Sequence, residues 1–252
     1  MALKVITIDF WNTLFDSSNS QERNKYRNQA IYKTIIEQGI EISEKQIKDA
    51  ISASWAHFNE NWIKNMRTPL PRETVQFFWN YLKIPHNDES IDKIVLLFET
   101  IILDYPPKLM DDAGRALEIL SQKYKIGLIS DTGFTPGRIL KLVMQKNQIL
   151  DFFDAFSFSD ETGVAKPHPD AYLKILNKFG CKPANALHIG DIEQTDIEGA
   201  VNLGMKAIRF SGDLSYLSAP NPKKTRGNAE CFNWEDVIVK IEQIENNPDI
   251  EF

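Results

Sequence analysis

Four charged residues lie where an apolar segment or a glycine is followed by a loop. Three are carboxylates and one is a lysine, a combination that could form a reactive site. They are Asp9, Lys166, Asp191 and Asp196. Mg²⁺ binds a few carboxylates while keeping several waters, and a lysine ammonium attracts an anionic substrate, so this set could form a metal-dependent reactive site. Taken singly, each residue has a simpler interpretation as a turn residue, a helix N-cap or a solvated lysine.

Such a site needs a scaffold, and the second half of the chain has the pattern of one. Predicted helices and strands alternate there, at 113–123, 125–129, 136–146, 155–158, 170–179, 186–189, 196–203 and 206–210. This alternation is typical of a parallel sheet that is covered by helices on both faces. Together with a first strand at 3–10, it predicts an α/β fold with a Rossmann-like, doubly wound parallel sheet.

The predicted sheet would bring the candidate residues together. Asp9, Ser130 and Asp191 each follow a predicted strand, and Lys166 lies in the loop after the strand 155–158. Ligands of open parallel sheets bind at the carboxyl ends of the strands. We therefore expect these four side chains to converge on one edge of the sheet.

Residues 19–103 have a different pattern, with helical spacing and no convincing strand. Ser43 and Gln46 resemble a helix capping box, and apolar residues recur every three or four positions after it. We predict two domains. An α/β core would comprise residues 1–15 and 106–252, and an inserted all-helical domain would comprise residues 16–105.

The composition argues against several classes of function. The chain has 252 residues, 42% of them hydrophobic, which is enough for a sizeable core, and its net charge of -6 without a dense basic segment argues against nucleic-acid binding. No apolar segment is long enough to span a membrane, and the first residues do not resemble a signal peptide. Cys181 and Cys231 lack the spacing of a zinc site, so we expect reduced thiols in a cytoplasmic protein.

The candidate residues occur in the order of four known motifs. Asp9 and Thr13 match the first, Ser130 the second, Lys166 with its proline the third, and Asp191 with Asp196 the fourth. On these motifs the chain is identified as a member of the haloacid dehalogenase (HAD) superfamily of hydrolases. The helical insertion between the first and second motifs resembles the cap domain of many relatives.

The resemblance implies a role for each matching residue. Asp9 would be the nucleophile that forms a covalent aspartyl intermediate, with Ser130 and Lys166 completing the catalytic set. Mg²⁺ would be the cofactor, bound by Asp9, the backbone carbonyl of Trp11 and Asp191, with Asp196 ordering the metal shell. The partner would be a small phosphorylated molecule, and the residues implied to bind it are Thr13, Ser130, Asp131 and Lys166.

One position departs from the family pattern. Phosphatases of the family carry a second aspartate two positions after the nucleophile, which protonates the leaving group, and this chain has Trp11 there. An indole N–H cannot act as an acid near neutral pH. A phosphohydrolase of this sequence would need substrates with good leaving groups, or another acid such as Asp131.

Other interpretations stay open at this point. The 2-haloacid dehalogenases carry an aromatic residue at this position, since halide leaves without a proton, but they lack the fourth motif found here. A weakly active or non-catalytic relative could use its cap for binding or regulation. Phosphonate cleavage would require a cap lysine, and nothing distinguishes the candidates Lys33, Lys45, Lys48 and Lys64. The metal-binding set favours the phosphohydrolase.

The substrate would be selected by the cap, whose side chains a sequence cannot place. Arg67 and Arg72 flank a proline-containing turn and could reach an anionic substrate, although solvated loop arginines are the simpler interpretation. The sequence does not indicate the substrate's identity or the oligomeric state.

Overall fold

A parallel β-sheet forms the centre of the molecule. In a computed structural model that describes residues 2–85, 87–213 and 221–246, six strands lie in the order β3-β2-β1-β4-β5-β6. The strands are β1 (Val5–Ile8), β2 (Lys125–Ser130), β3 (Ala155–Phe158), β4 (Ala186–Gly190), β5 (Lys206–Phe210) and β6 (Ala229–Cys231). Every pairing between neighbours is parallel, so the predicted doubly wound α/β sheet is confirmed.

Strand β1 is the strand at which the order of the sheet reverses. It pairs with β2 on one side and β4 on the other, so that Ile8 lies opposite both Leu128 and Ile189. Its residues alternate between the two faces, with Ile6 and Ile8 in one apolar cluster and Val5 in another. A crevice forms at the carboxyl end of a strand where the strand order reverses, and Asp9 is the next residue.

Helices cover both faces of the sheet. The larger apolar cluster joins the sheet to α5 (Ala113–Ser121), α6 (Gly137–Lys146) and α10 (Trp234–Asn246). The smaller cluster joins the opposite face to α8 (Pro169–Lys178) and α9 (Glu198–Asn202). A single helical turn, α7 (Ser159–Thr162), follows β3.

Four of the helices between β1 and β2 lie within residues 20–103, which we call the helical insertion. They are α1 (Ser20–Glu37), α2 (Glu44–Asn65), α3 (Pro71–Tyr81) and α4 (Asp88–Thr100), followed by a 3₁₀ turn at Ile101–Leu103. These helices pack around an apolar cluster of their own. The predicted capping box is confirmed, since Gln46 N donates to Ser43 Oγ over 3.3 Å.

The two chain segments that connect the insertion to the sheet lie side by side. The backbone N–H of Asp16 donates to Lys108 O over 2.9 Å, and Asn19 Nδ2 donates to Pro106 O over 2.8 Å. The predicted domain boundaries, after residue 15 and before residue 106, fall in these segments and stay a prediction. The outer limits of the predicted core, residues 1 and 252, lie outside the described residues.

Two details of the fold differ from the sequence-based prediction. Strand β6 and helix α10 were not predicted, although Trp234, Val237, Ile241 and Ile244 recur at helical spacing. The helix predicted at 196–203 begins instead as a π-helical turn, Glu193–Ile197, in which Ile197 N donates to Ile192 O. Asp196 therefore lies inside this turn and is not a helix N-cap. Within the described residues, no helix is both long and apolar enough to cross a membrane.

Candidate active site

Asp9 lies at the carboxyl end of β1, where a backbone hydrogen bond to β4 fixes its position. Its N–H donates to Ile189 O in β4 over 2.9 Å, and the residue is 4% exposed. Its Oδ1 accepts a hydrogen bond from Lys166 Nζ, which also forms a buried ion pair with it. The predicted convergence of Asp9 and Lys166 is therefore present in the structure.

Lys166 is buried among acceptors. Besides Asp9, its Nζ donates to Asp196 Oδ1 over 2.6 Å and to Ile129 O over 3.3 Å. Burial alone would lower the pKa of this ammonium, but the carboxylates of Asp196 and Asp9 outweigh burial and raise the pKa well above its usual range. Lys166 therefore carries its positive charge in the site.

Asp196 is fully occupied by hydrogen bonds. Its Oδ1 accepts from Lys166 Nζ and pairs with His188 Nε2 over 3.0 Å, and its Oδ2 accepts from Ile192 N and Thr195 Oγ1. Burial would raise the pKa of this carboxyl, but Lys166 and His188 together hold it below its usual range. These contacts involve both carboxylate oxygens of Asp196 and hold Lys166 next to it.

His188 and Gly190 allow this arrangement, and the sequence motifs do not indicate either role. Burial lowers the pKa of His188, so the neutral ring donates from Nε2 to Asp196 while Nδ1 faces Thr7 Oγ1 at 2.9 Å. A Cβ at Gly190 would collide with the Asp196 side chain. A histidine within the otherwise apolar strand β4 is the signal that could have indicated such a buried polar contact.

Asp191 lies on the other side of Asp9. It is 7% exposed, its Oδ2 accepts from Asn12 Nδ2 over 3.3 Å, and its backbone carbonyl accepts from Asn221 Nδ2 over 2.6 Å. Burial and the neighbouring charges of Asp196 and Asp9 raise the pKa of Asp191 well above its usual range. Asn12 was not among the predicted site residues.

The donor set fits a divalent cation. Burial, opposed by Lys166, raises the pKa of Asp9 to about 7, and the charges of Asp9 and Asp191 oppose each other. A cation between these two carboxylates would offset a repulsion that Lys166 alone does not neutralise. Among the described residues, no group of three or more His, Cys, Asp or Glu side chains is arranged to hold a metal. The carboxylates that could hold an ion here are those of Asp9 and Asp191, and carboxylate and water oxygens are the ligands that Mg²⁺ prefers.

A cavity of about 360 Å³ opens above these residues, between the sheet and the helical insertion. The sheet side contributes Asp9, Trp11, Asp131, Lys166 and Asp191. The insertion contributes Arg23, Arg27, Trp55, Phe58 and Trp62. The insertion therefore forms one wall of the cavity, and the sheet side forms the other.

Thr13 and Ser130, two predicted substrate-binding residues, do not line this cavity. Both are buried, and their hydroxyl groups have no hydrogen-bond partner among the described residues. The structure therefore does not bring them to the cavity surface, and their predicted binding role is untested.

Asp131 does line the cavity and connects the two parts of the molecule. Its Oδ1 accepts from the backbone N–H of Lys166 over 2.9 Å, and its Oδ2 accepts from Trp62 Nε1 over 2.9 Å. Burial raises the pKa of this carboxyl, although Lys166 and Trp62 oppose that effect. Its position and its raised pKa fit the role of an acid.

Trp11 forms part of the cavity wall at the position of the missing acid. Its ring packs edge-on against Phe10 with centroids 4.9 Å apart, and the guanidinium carbon of Arg23 lies 6.0 Å from its centroid. Where phosphatases of the family carry a carboxyl group, this chain therefore has an aromatic ring with the guanidinium of Arg23 near it.

The cap residues considered from the sequence do not line the cavity. Arg67 pairs with Glu73 and Arg72 pairs with Asp92, so neither reaches a substrate in this structure. Lys33, Lys48 and Lys64 form surface ion pairs within helices, and Lys45 is exposed. No lysine of the described insertion lines the cavity, which removes the support for phosphonate cleavage.

The arginines that do line it, Arg23 and Arg27, were missed. They lie four residues apart on α1, in line with the buried residues Ile31 and Ile35. This periodicity places both arginines on the apolar face of the helix, and it was the signal available in the sequence.

Comparison with known families agrees with the motifs. A family described as haloacid dehalogenase-like hydrolase matches residues 3–204. A relative from Methanothermobacter thermautotrophicus, glyceraldehyde 3-phosphate phosphatase, is 24% identical over 226 residues, which cover 88% of this chain and 92% of that protein.

Solved structures show the same fold. The 2-haloacid dehalogenase from Pseudomonas syringae superposes with a TM-score of 0.65 at 18% identity, and the HAD-hydrolase YfnB from Bacillus subtilis, bound to magnesium, with a TM-score of 0.64 at 15% identity. Each superposition covers 96% of this chain and 99% of the other. At these identities the likeness extends to the fold and not to the activity.

Proposed function

Because the chain belongs to the haloacid dehalogenase-like hydrolases, we propose that it is a Mg²⁺-dependent phosphohydrolase that cleaves a small phosphorylated molecule through an aspartyl-phosphate at Asp9. The observation that carries the proposal is the buried contact from Lys166 to Asp9, with Asp196 holding the ammonium in place. The phosphatase name of the Methanothermobacter relative supports the phosphoryl substrate.

In the first step, Asp9 attacks the phosphorus atom. Lys166 bonds to Oδ1, so we assign the attack to Oδ2. An O–P bond forms, and the bond to the leaving oxygen breaks with its electron pair staying on that oxygen. The ammonium of Lys166 stabilises the negative charge that builds up on the phosphoryl oxygens.

In the second step, water attacks the phosphorus of the aspartyl phosphate. The O–P bond to Asp9 breaks, inorganic phosphate is released and one proton passes to the solvent. Asp196 holds Lys166 beside Asp9 through both steps. Mg²⁺, bound by Asp9, Asp191 and the Trp11 carbonyl, would offset the repulsion between the carboxylates and the phosphoryl group.

The leaving oxygen needs a proton unless it is a weak base. Trp11 cannot supply one, so we propose that natural substrates have leaving groups of low pKa or that Asp131 takes over as the acid. Asp131 lines the same cavity and burial raises its pKa, which supports the second possibility.

The test is a substrate screen with wild-type protein and Asp9→Asn, each with and without Mg²⁺. Aryl phosphates, acyl phosphates, alkyl phosphates and 2-haloacids form the panel, and released phosphate or halide is measured. We expect phosphate release by the wild type with Mg²⁺ and none by Asp9→Asn, because an amide cannot form the aspartyl ester. Phosphate release that persists in Asp9→Asn would exclude covalent catalysis by this residue.

A 2-haloacid dehalogenase is the second candidate, and Trp11 is the observation that favours it. Halide leaves without a proton, so an aromatic residue can occupy the acid's position. Release of halide in the absence of Mg²⁺, with no release of phosphate, would establish this function instead.

A further inference from the structure

Two arginines of α1 project into the cavity above Asp9. Arg23 is 5% exposed and Arg27 is 7% exposed, and both line the cavity that Asp9, Lys166 and Asp191 line from below. Buried arginines are rare unless they are paired with an acidic group. The buried position of Arg27 at this cavity requires an explanation.

Arg27 has no acidic partner among the described residues. Its Nη1 donates to Asn24 Oδ1 over 3.3 Å and its Nη2 to Phe98 O over 3.1 Å, and its Nε hydrogen has no acceptor. Burial and the like charge of Arg23 lower the pKa of Arg27 to about 9. The folded protein thus keeps a buried cation that has no carboxylate partner among the described residues and faces the rings of Phe98 and Phe134.

A purely structural role explains only part of this arrangement. Arg27 does connect α1 to α4 through Phe98 O, and its guanidinium carbon lies 4.9 Å from the centroid of the Phe134 ring. The Phe98 and Phe134 rings attract the charge of the guanidinium, but this contact leaves the Nε hydrogen without an acceptor among the described residues. Arg27 also lines a second cavity of about 180 Å³ within the insertion, so its guanidinium lies where two open spaces meet.

The walls around Arg27 are aromatic. Both cavities share Trp55 and Phe134, and the larger one adds Phe58 and Trp62. The acidic residues of the larger cavity lie around Lys166. A series of aromatic contacts leads from them to Arg27, since Trp62 donates to Asp131, Phe58 packs between Trp62 and Phe134, and Arg27 lies over Phe134. A ligand that fills the cavity would therefore meet a phosphate-binding end, an apolar middle and a cationic end.

We propose that Arg27, with Arg23 beside it, binds a second anionic group of the substrate, while the aromatic wall covers its carbon skeleton. The inference rests on the proposed phosphohydrolase function and narrows its substrates to organic phosphates with an apolar or aromatic body and a distal carboxylate or phosphate. A guanidinium suits either group because its N–H donors match two oxygens at once.

The test compares matched ligands. We choose 4-(carboxymethyl)phenyl phosphate, its methyl ester, and benzene-1,4-diyl bisphosphate. The first two have the same phosphate and nearly the same leaving group, and they differ in the distal charge. Isothermal titration with Mg²⁺ present uses the Asp9→Asn protein, which binds without turnover, so that affinity is measured even if no ligand is a substrate.

We expect the acid or the bisphosphate to bind Asp9→Asn about 10- to 100-fold more tightly than the ester, as hydrogen bonds between charged groups typically allow. In Asp9→Asn/Arg27→Met this ratio should fall towards one. The matched control is Asp9→Asn/Arg67→Met, because Arg67 pairs with Glu73 away from the cavity, and it should keep the ratio. Whichever anion is favoured identifies the distal group.

Equal affinity for the acid, the bisphosphate and the ester would overturn the inference, even if Arg27→Met does not fold. A ratio that survives in a folded Arg27→Met protein would overturn it too. Failure of the proposed function looks different, since the wild type would then release no phosphate from any of the three ligands although the binding ratio was present.

Discussion

Trp11 is the residue whose replacement should reveal how the leaving group is handled. Without an acid at this position, rates should depend steeply on leaving-group pKa, since a positioned acid typically contributes roughly 10²–10⁴-fold. We expect measurable hydrolysis of aryl or acyl phosphates and little of alkyl phosphates. In Trp11→Asp, alkyl phosphate hydrolysis should rise relative to aryl phosphate hydrolysis. The measurement is kcat/KM across a series of leaving groups.

Asp131 gives the alternative outcome of the same series. If the wild type shows a flat dependence on leaving-group pKa, another group supplies the proton, and Asp131 is the candidate that lines the cavity. In that case Asp131→Asn should steepen the dependence. A flat dependence in both proteins would exclude both explanations.

Asp191 should control metal binding. We expect Asp191→Ala to lose Mg²⁺ affinity in isothermal titration, because Asp191 and Asp9 supply the carboxylates of the proposed metal site. Asn12→Ala should weaken affinity to a smaller extent, since Asn12 only orients Asp191. The exposed Glu118→Gln is the control. Equal Mg²⁺ affinity in wild type and Asp191→Ala would contradict the site.

For individual residues, the sequence predicts the charged groups at the ends of strands. It does not predict the residues whose role depends on how helices and strands pack. Asp9, Lys166 and Asp191 meet as expected, because parallel strands end together. Arg27 and His188 could not be placed, since a buried cation and a neutral buried imidazole look like ordinary helix and strand residues. The oxygens of Asp196 make hydrogen bonds with Lys166, His188 and the loop after β4, and its role in ordering the metal shell stays a prediction.

Arg209 in β5 forms a buried ion pair with Glu193 in the segment after β4. Arg209 is 2% exposed, and its Nη1 donates to Glu193 Oε2 over 2.8 Å and to Pro222 O over 3.0 Å. Removing one partner leaves the other charge buried and unpaired, so Arg209→Met should lower the free energy of unfolding by about 3–5 kcal/mol. Urea unfolding followed by circular dichroism measures the change.

The control for Arg209 is a surface pair. Arg115 and Glu235 lie 3.7 Å apart and are both mostly exposed, so Arg115→Met should change the free energy of unfolding by less than about 1 kcal/mol. If both arginine substitutions cost the same small amount, the buried pair does not hold the loop.

Elements were predictable where apolar periodicity is strong and local. Strands β2 to β5 and helices α5, α6 and α8 lie within a residue or two of their predicted bounds. The π-helical turn at Glu193–Ile197 could not be predicted, because the hydrogen bonds that form it depend on Asp196 being held by Lys166 and His188. Strand β6 has three residues, too few to show a period.

Across the whole molecule, both cysteines are free and buried. Burial raises the pKa of Cys231 to about 12 and also raises that of Cys181, which reduces the thiolate fraction at pH 8. Because the thiolate is the reactive form, the native protein should react slowly with a disulfide reagent, and unfolding in guanidinium should release two rapidly reacting thiols. Fast reaction of one thiol in the native protein would show that Cys181, at 8% exposure, is accessible.

The place of the helical insertion between β1 and β2 has a consequence for the order of folding. The central strand is made first, yet its partner β2 begins only at Lys125, so pairing them closes a long loop, which costs conformational entropy. A folded insertion shortens that loop, because its ends meet where Asn19 donates to Pro106. We therefore expect the insertion to form before the sheet closes.

Ile94 in the insertion and Ile241 in α10 are both 1% exposed, which makes them a matched pair. Substituting either by alanine should cost about 2–5 kcal/mol. In stopped-flow experiments, Ile94→Ala should mainly slow refolding, whereas Ile241→Ala should mainly speed unfolding. The reverse assignment would mean that the sheet nucleates first, with the insertion folding onto it.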